Sequence, residues 1–295
     1  MAIAVQQQPQ PVDTRPVRRR KPRGEEVNWP LTGILLVASL IVLVPLYFTV
    51  AMSLKTSQDA VSGNGFSFPW PLNWSNFSDA WTLTNFPRAF LISLGVAVFT
   101  VAGEITLCSL TAYAIARNWS RKLFRWSFYY LLAAMFIPFP VIALPQIKLT
   151  SLVHLDNPVG VTILHILFGL GFNVLLYSAF LRSVPYELEE SARMDGCNTW
   201  QTFWKLIFPL LAPMNATVGI FAFLQSWNDF MLPSLITSSP TQQTLPVVQA
   251  IFQTQFSSNY NISFASYLMA MLPTLVVYLF AQRWVMSGVT QGAIK

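Results

Sequence analysis

Six stretches of this chain are apolar for long enough to cross a bilayer, and polar residues return between them. A hydrocarbon core of about 30 Å takes about 20 helical residues. The stretches fall at Leu31–Met52, Phe90–Ala116, Trp126–Leu144, Val159–Phe180, Leu206–Leu224 and Phe264–Met286. Runs of this length must be helical, because lipid offers no partner to an unpaired backbone polar group. Pro138, Pro140, Pro145 and Pro273 interrupt their spans and predict kinks. The pattern predicts an all-α integral membrane protein. Composition agrees: 54% of residues are hydrophobic and 10% charged, and the mean hydropathy is +0.48.

Charge adds an orientation. Arg15, Arg18, Arg19, Arg20, Lys21 and Arg23 precede the first span, and Arg117, Arg121, Lys122 and Arg125 follow the second. Arg182, Arg193 and Lys205 follow the fourth, and Arg283 and Lys295 close the chain. Only Lys55, Arg88 and Lys148 fall on the other side. Basic residues collect on the cytoplasmic side, so both termini are expected there. The net charge of +6 is therefore a topology signal, and nucleic acid is not the expected partner. Residues 1–28, rich in Gln, Pro and Arg, read as a disordered cytoplasmic tail. A six-span membrane domain is expected over 29–295, with the first span an uncleaved anchor. Cys108 and Cys197 fall at different depths and form no framework. His154 and His165 have no second ligand at metal spacing, so no metal site is expected.

The segment from Pro185 to Pro209 is more polar than a connection requires. Pro185 suits a first helical turn, and Glu187, Glu189 and Glu190 place negative charge where the helix dipole favours it. Leu188, Ser191 and Ala192 recur at helical spacing. Gly196 then stops the helix, and Asn198 or Thr199 caps a second one running through Trp200, Phe203 and Trp204. Two short helices meeting at a glycine make a protrusion that another protein can grip, or a surface loop held by Glu–Arg pairs.

The run Glu190-Ser191-Ala192, three residues, Gly196, nine residues and Leu206-x-Phe208-Pro209 resembles the EAA signature of permease subunits in bacterial ABC importers. Ser191, Leu206 and Phe208 depart from it conservatively. Ser109 to Arg117, Ser226-Trp227-Asn228-Asp229-Phe230 and the ending AQRWVMSGVTQGAIK are similar to segments of carbohydrate permeases, the maltose-permease G subunit family among them. The resemblance covers about residues 29 to 295. It implies a type I ABC importer permease fold, with six transmembrane helices and a cytoplasmic coupling helix, in the bacterial inner membrane. The partners it implies are a second permease subunit, two ATP-binding subunits and an extracytoplasmic solute-binding protein. It implies that Glu187, Glu189, Glu190, Ser191, Ala192, Arg193, Asp195 and Gly196 meet an ATPase cleft. Gln291, Gly292 and Ala293 are expected to approach the same interface. The chain has no G-x-x-x-x-G-K-[ST] phosphate loop. ATP and Mg are thus expected in the partner subunits, with no cofactor in this chain and no catalytic residues.

Polar residues inside the spans are the candidates for a solute pathway. Ser93, Ala97, Thr100, Glu104, Cys108 and Thr111 share one helical face, which is expected to turn away from lipid. A charged Glu104 there costs about 2.5–3.5 kcal/mol. It either meets solute or a gate, or is a neutral acid bonded to a neighbouring helix. Gln225, Trp227, Asn228 and Asp229 at the end of the fifth span suit a sugar, whose hydroxyls need hydrogen bonds and whose C–H faces stack on rings. Asn173 is a candidate of the same kind. The loop from Ser234 to Ile262 is the expected contact with a binding protein. A sugar is the expected cargo. Glycerol phosphate would call for basic residues along the pathway, and none lies in the interior of a span, Arg283 standing near the end of the sixth. A self-sufficient secondary transporter would call for a paired ionisable relay and repeats.

Overall fold

The computed structural model describes residues 28–254 and 259–293, and for residues 281 and 283–293 the backbone alone. The expected tail, Asn28 apart, lies outside the described residues. The described chain is helical throughout, without a strand. Helices α1 (Trp29–Ser53), α4 (Phe86–Arg117), α7 (Pro158–Leu181) and α15 (Tyr260–Ala293) are each long and apolar enough to span a membrane. Short helices α2 (Ser57–Ser62) and α3 (Ser75–Leu83) precede α4, and α5 (Lys122–Ala134) and α6 (Phe139–Leu152) follow it. After α7 come α8 (Glu187–Met194), α9 (Thr199–Thr202), α10 (Phe208–Leu210) and α11 (Ala212–Asn228). Then come α12 (Met231–Ile236), α13 (Leu245–Gln249) and α14 (Ile251–Thr254).

Two expected spans are broken. The third divides into α5 and α6, bent by 104°. Pro138 sits extended at the break, with ψ 135, and its ring bars the preceding residue from helical geometry. The second limb continues to Leu152, past the expected end at Leu144. The fifth span divides at Leu211, where helices from Thr199 and from Ala212 meet at 75°. Before that break, Phe203–Ile207 is a π turn in which the Phe208 N–H donates to the Phe203 carbonyl. Pro209 has no N–H to continue the ladder. With each bent pair counted as one, the spans number six.

The described residues divide into two compact units, one up to Leu46 and one from Tyr47 onward. In the first, Leu31, Ile34, Leu40 and Val42 of α1 are exposed. The second is organised about α4, which packs chiefly on α7 and α11. The face of α4 bearing Ser93, Ala97, Thr100, Glu104 and Cys108 is buried, while Leu91, Val98, Phe99 and Leu107 are exposed. That division fits a helix with lipid on one side and small or polar contacts on the other. Close approach depends on Gly169 of α7, where a Cβ would collide with the Glu104 carboxylate. Cys108, Ala112, Tyr177, Leu181, Phe203 and Ile207 form one core cluster. Phe86, Ala89, Ala97, Phe223, Trp227 and Leu245 form a second, towards the opposite end of α4.

That opposite end is tied by polar contacts. Asn76 is buried and its amide donates to the carbonyls of Ser53 and Lys55, both at 2.8 Å, while its Oδ1 accepts from Asn261 at 2.7 Å. Aromatic rings continue the contact: Trp81 stacks on Phe86, Phe86 on Phe90, and Phe90 meets Trp227 edge-on. Phe68, Trp70 and Trp74 of the same connection are exposed. The loop expected from Ser234 to Ile262 is largely folded into α12, α13 and α14. Its Leu245 N–H donates to Ser93 Oγ at 2.7 Å, and Gln249 bonds Ser266.

Candidate functional site

A cavity of about 740 Å³ opens where α5 and α6 break apart beside α7 and α11. The bend leaves this space, since a straight third span would lie along its neighbours. Its walls are apolar on the α5 and α6 side, with Met135, Phe139 and Ile142, and Phe168 faces them from α7. Its polar groups are Gln146, His165, Gln225, Asn228 and Asp229. His165 Nε2 lies 2.9 Å from Asp229 Oδ2, and its Nδ1 lies 3.3 Å from Ser226 Oγ. The arrangement suits an Nε2–H donating to the carboxylate and an Nδ1 accepting from the serine. Asp229 Oδ1 also accepts the Met231 N–H at 3.0 Å, which fixes the start of α12. The carboxylate is thus held from two sides, while the amide of Gln225 is exposed.

Gln225, Asn228 and Asp229 therefore share one cavity, and Trp227 does not. The Trp227 ring is buried on the other face of α11, stacked on Phe223, and its Nε1–H donates to the Ala270 carbonyl at 3.1 Å. Glu104 and Asn173, the other two pathway candidates, lie outside the cavity walls and bond each other. Asn173 Nδ2 donates to Glu104 Oε2 at 2.5 Å. Glu104 is thus hydrogen-bonded to the neighbouring helix α7. His165 was missed as a pathway residue because its partners lie more than 60 positions away in sequence. The usable signal was a polar side chain in the middle of an apolar span.

At the other end of α7, helix α8 closes with Gly196 at φ +83. The Cys197 N–H reaches the Ala192 carbonyl and the Gly196 N–H reaches that of Arg193, both at 3.0 Å. This pairing is the Schellman stop, and it needs a residue at ease with positive φ. Asn198 and Gln201 then form a reciprocal capping box for α9. Pro185 lies just before the helix, with Tyr186 at its N-cap.

Glu189 differs from the other acids of α8, because its side chain has no exposed surface. The Tyr113 hydroxyl donates to Oε2 at 2.8 Å, and Arg117 Nε donates to Oε1 at 2.6 Å. Both donors belong to α4. Tyr186 lies between two guanidinium groups, with Arg117 at 5.6 Å and Arg193 at 5.2 Å from its ring centre. Arg193 Nη1 also donates to the Tyr186 hydroxyl at 2.8 Å, which holds the guanidinium above its ordinary pKa. Glu187, Glu190, Ser191, Arg193, Asp195 and Gly196 remain exposed and Ala192 half-buried. Met194 is 88% exposed; an apolar tip on a polar helix was not singled out by the pattern. The side chains of Gln291, Gly292 and Ala293 lie outside the described residues.

The sequence profile of the family described as "Binding-protein-dependent transport system inner membrane component" matches residues 104–291. The chain belongs to this family. It is accordingly a multi-pass membrane protein and a permease subunit of the binding-protein-dependent ABC importer type. The multiple sugar-binding transport system permease protein MsmG of Streptococcus mutans is 34% identical, over 92% of this chain and 99% of its own length. The probable starch degradation products transport system permease protein AmyC of Thermoanaerobacterium thermosulfurigenes is 31% identical, over 90% of this chain and 96% of its own. The melibiose/raffinose/stachyose import permease protein MelC of Bacillus subtilis is 32% identical, over 85% and 91%. Among solved structures, a bacterial ABC transporter involved in the import of the acidic polysaccharide alginate shares the fold. Its TM-score is 0.73 at 22% identity, with 88% of this chain and 97% of that one covered.

Proposed function

We propose that this permease subunit serves an ATP-driven importer of neutral oligosaccharides and that the cavity beside the broken third span faces the solute. The cavity's chemistry is the observation that carries the cargo assignment. Its polar groups are amides plus a His165–Asp229 pair that satisfies itself, and among the described residues no lysine or arginine lines it. Phe139 and Phe168, in edge contact at 5.8 Å, supply rings for sugar C–H faces. An anionic solute such as glycerol phosphate finds no counter-charge there. The names of the relatives, all sugar or oligosaccharide systems, point the same way.

In this reading the exposed face of α8, from Glu187 through Glu190 and Met194 to Gly196, seats in a partner ATPase, which binds ATP and Mg. Glu189 faces inward and acts as the tie by which movement of α8 reaches α4. Both termini are cytoplasmic, with a second permease and an extracytoplasmic binding protein completing the complex. The test is sugar uptake by the complex reconstituted in proteoliposomes. Gln225→Ala removes one exposed amide from the cavity and leaves packing intact. Loss of one hydrogen bond corresponds to about a two- to tenfold higher half-saturation for the sugar, with ATP hydrolysis in the absence of sugar unchanged. Identical uptake curves for wild type and variant would remove the cavity from the pathway.

A further inference from the structure

A second pocket, of about 340 Å³, lies at the α8 end of the bundle, between the last turns of α4 and α7. It is lined by Arg117, Trp119, Ser178 and Arg182 together with Ile115 and Leu181. None of the solute-cavity residues contributes to it. Three features of its wall are unusual together. Arg182 has no carboxylate within ion-pair reach among the described residues; its guanidinium rests 5.7 Å over the Trp119 ring. Arg117 gives its Nε to Glu189, and its Nη2 has only a long contact, 3.5 Å, to the Val184 carbonyl. The Ser178 hydroxyl is buried with no hydrogen-bond partner among the described residues. A buried hydroxyl left unpaired costs free energy that a bound acceptor would recover.

We propose that this pocket holds the phosphodiester headgroup of an anionic phospholipid. A phosphate offers several acceptor oxygens, and the pocket's polar side chains can all donate to them: the Arg182 fork, the unused part of the Arg117 fork and the Ser178 hydroxyl. The place fits a lipid because it lies where two spans end, and basic pockets between spans at the membrane surface select anionic headgroups. The wall also continues into apolar surface of the kind acyl chains cover. Trp119 meets Tyr129 edge-on at 6.1 Å, and Tyr129 meets Trp126 at 6.1 Å; both outer rings are exposed. The inference rests on the membrane placement of α4 and α7 and is independent of the cargo.

The test is native mass spectrometry of the purified transporter complex from nanodiscs of three parts phosphatidylcholine to one part phosphatidylglycerol. The wild type is expected to retain phosphatidylglycerol on this subunit, and Arg182→Gln to lose it by about tenfold, the effect of one arginine–phosphate pair. Arg182→Lys, which keeps the charge without the fork, is expected to fall between them. Ser178→Ala, which removes only the buried hydroxyl, is expected to weaken retention and serves should the arginine variants fail to assemble. Displacement of the lipid by millimolar inorganic phosphate would identify free phosphate as the ligand and overturn the lipid assignment. Equal retention by wild type, Arg182→Gln and Ser178→Ala would overturn the site. So would a crosslink from position 182 to a partner subunit in place of lipid. Failure of the importer reading itself would show separately, as the absence of partner subunits from the same spectra.

Discussion

Two buried carboxylates in this chain have different surroundings. Glu189 is held by Tyr113 and Arg117 of α4, and Arg193 lies 3.9 Å away. Removing one partner of such a pair leaves an uncompensated charge, at a cost of about 3–5 kcal/mol. Arg117→Met is therefore expected to lower the thermal unfolding midpoint of the detergent-solubilised complex and to depress uptake. Arg117→Met combined with Glu189→Met should be more stable than the single variant; a double variant as unstable as the sum of the two singles would refute the tie. Glu104, by contrast, has one amide donor, Asn173, and a glycine pressed against it. Glu104→Gln keeps both the shape and a hydrogen bond, so assembly and uptake should stay within about twofold of wild type. A collapse of uptake in a well-assembled Glu104→Gln complex would give that carboxylate a role in transport.

At the scale of elements, helix ends are set by local chemistry and helix breaks by proline. The stop at Gly196 and the start at Asn198 follow from residues whose preferences need no tertiary contact, and both were legible in the sequence. Gly196→Ala puts a Cβ at φ +83, a strain of about 1–2 kcal/mol. Sugar-stimulated ATP hydrolysis should fall while the amount of subunit in the membrane does not; unchanged hydrolysis would mean that the angle between α8 and α9 is not transmitted. Pro138 marked a kink in the third span, yet not its size. A bend of 104° needs the neighbouring helices to pack against both limbs, and hydropathy carries no such information. The same limit hid the folding of residues 234–254, where Leu245 docks on Ser93 across 152 positions.

For the whole molecule, the spans and the two short helices meeting at Gly196 were legible because each is written in contiguous residues. The cavity was half legible: Gln225, Asn228 and Asp229 share one helix end, whereas His165 and Gln146 arrive from two other helices. Trp227 shows why spacing alone misleads, since one helix turn offers two faces and only packing selects between them. The molecule presents a largely apolar cavity with a few polar groups beside α7 and the exposed face of α8 beyond the end of that helix, with α4 in contact with both regions of the bundle. The subunit has no phosphate loop of its own, and the proposed function assigns ATP hydrolysis to a partner. The most direct measurement is to isolate the chain from native membranes in mild detergent, identify what co-purifies and assay ATP hydrolysis. The account predicts a second permease, an ATP-binding subunit and vanadate-sensitive hydrolysis that rises when sugar-loaded binding protein is added. A lone chain without hydrolysis, under conditions that keep other importers intact, would contradict it.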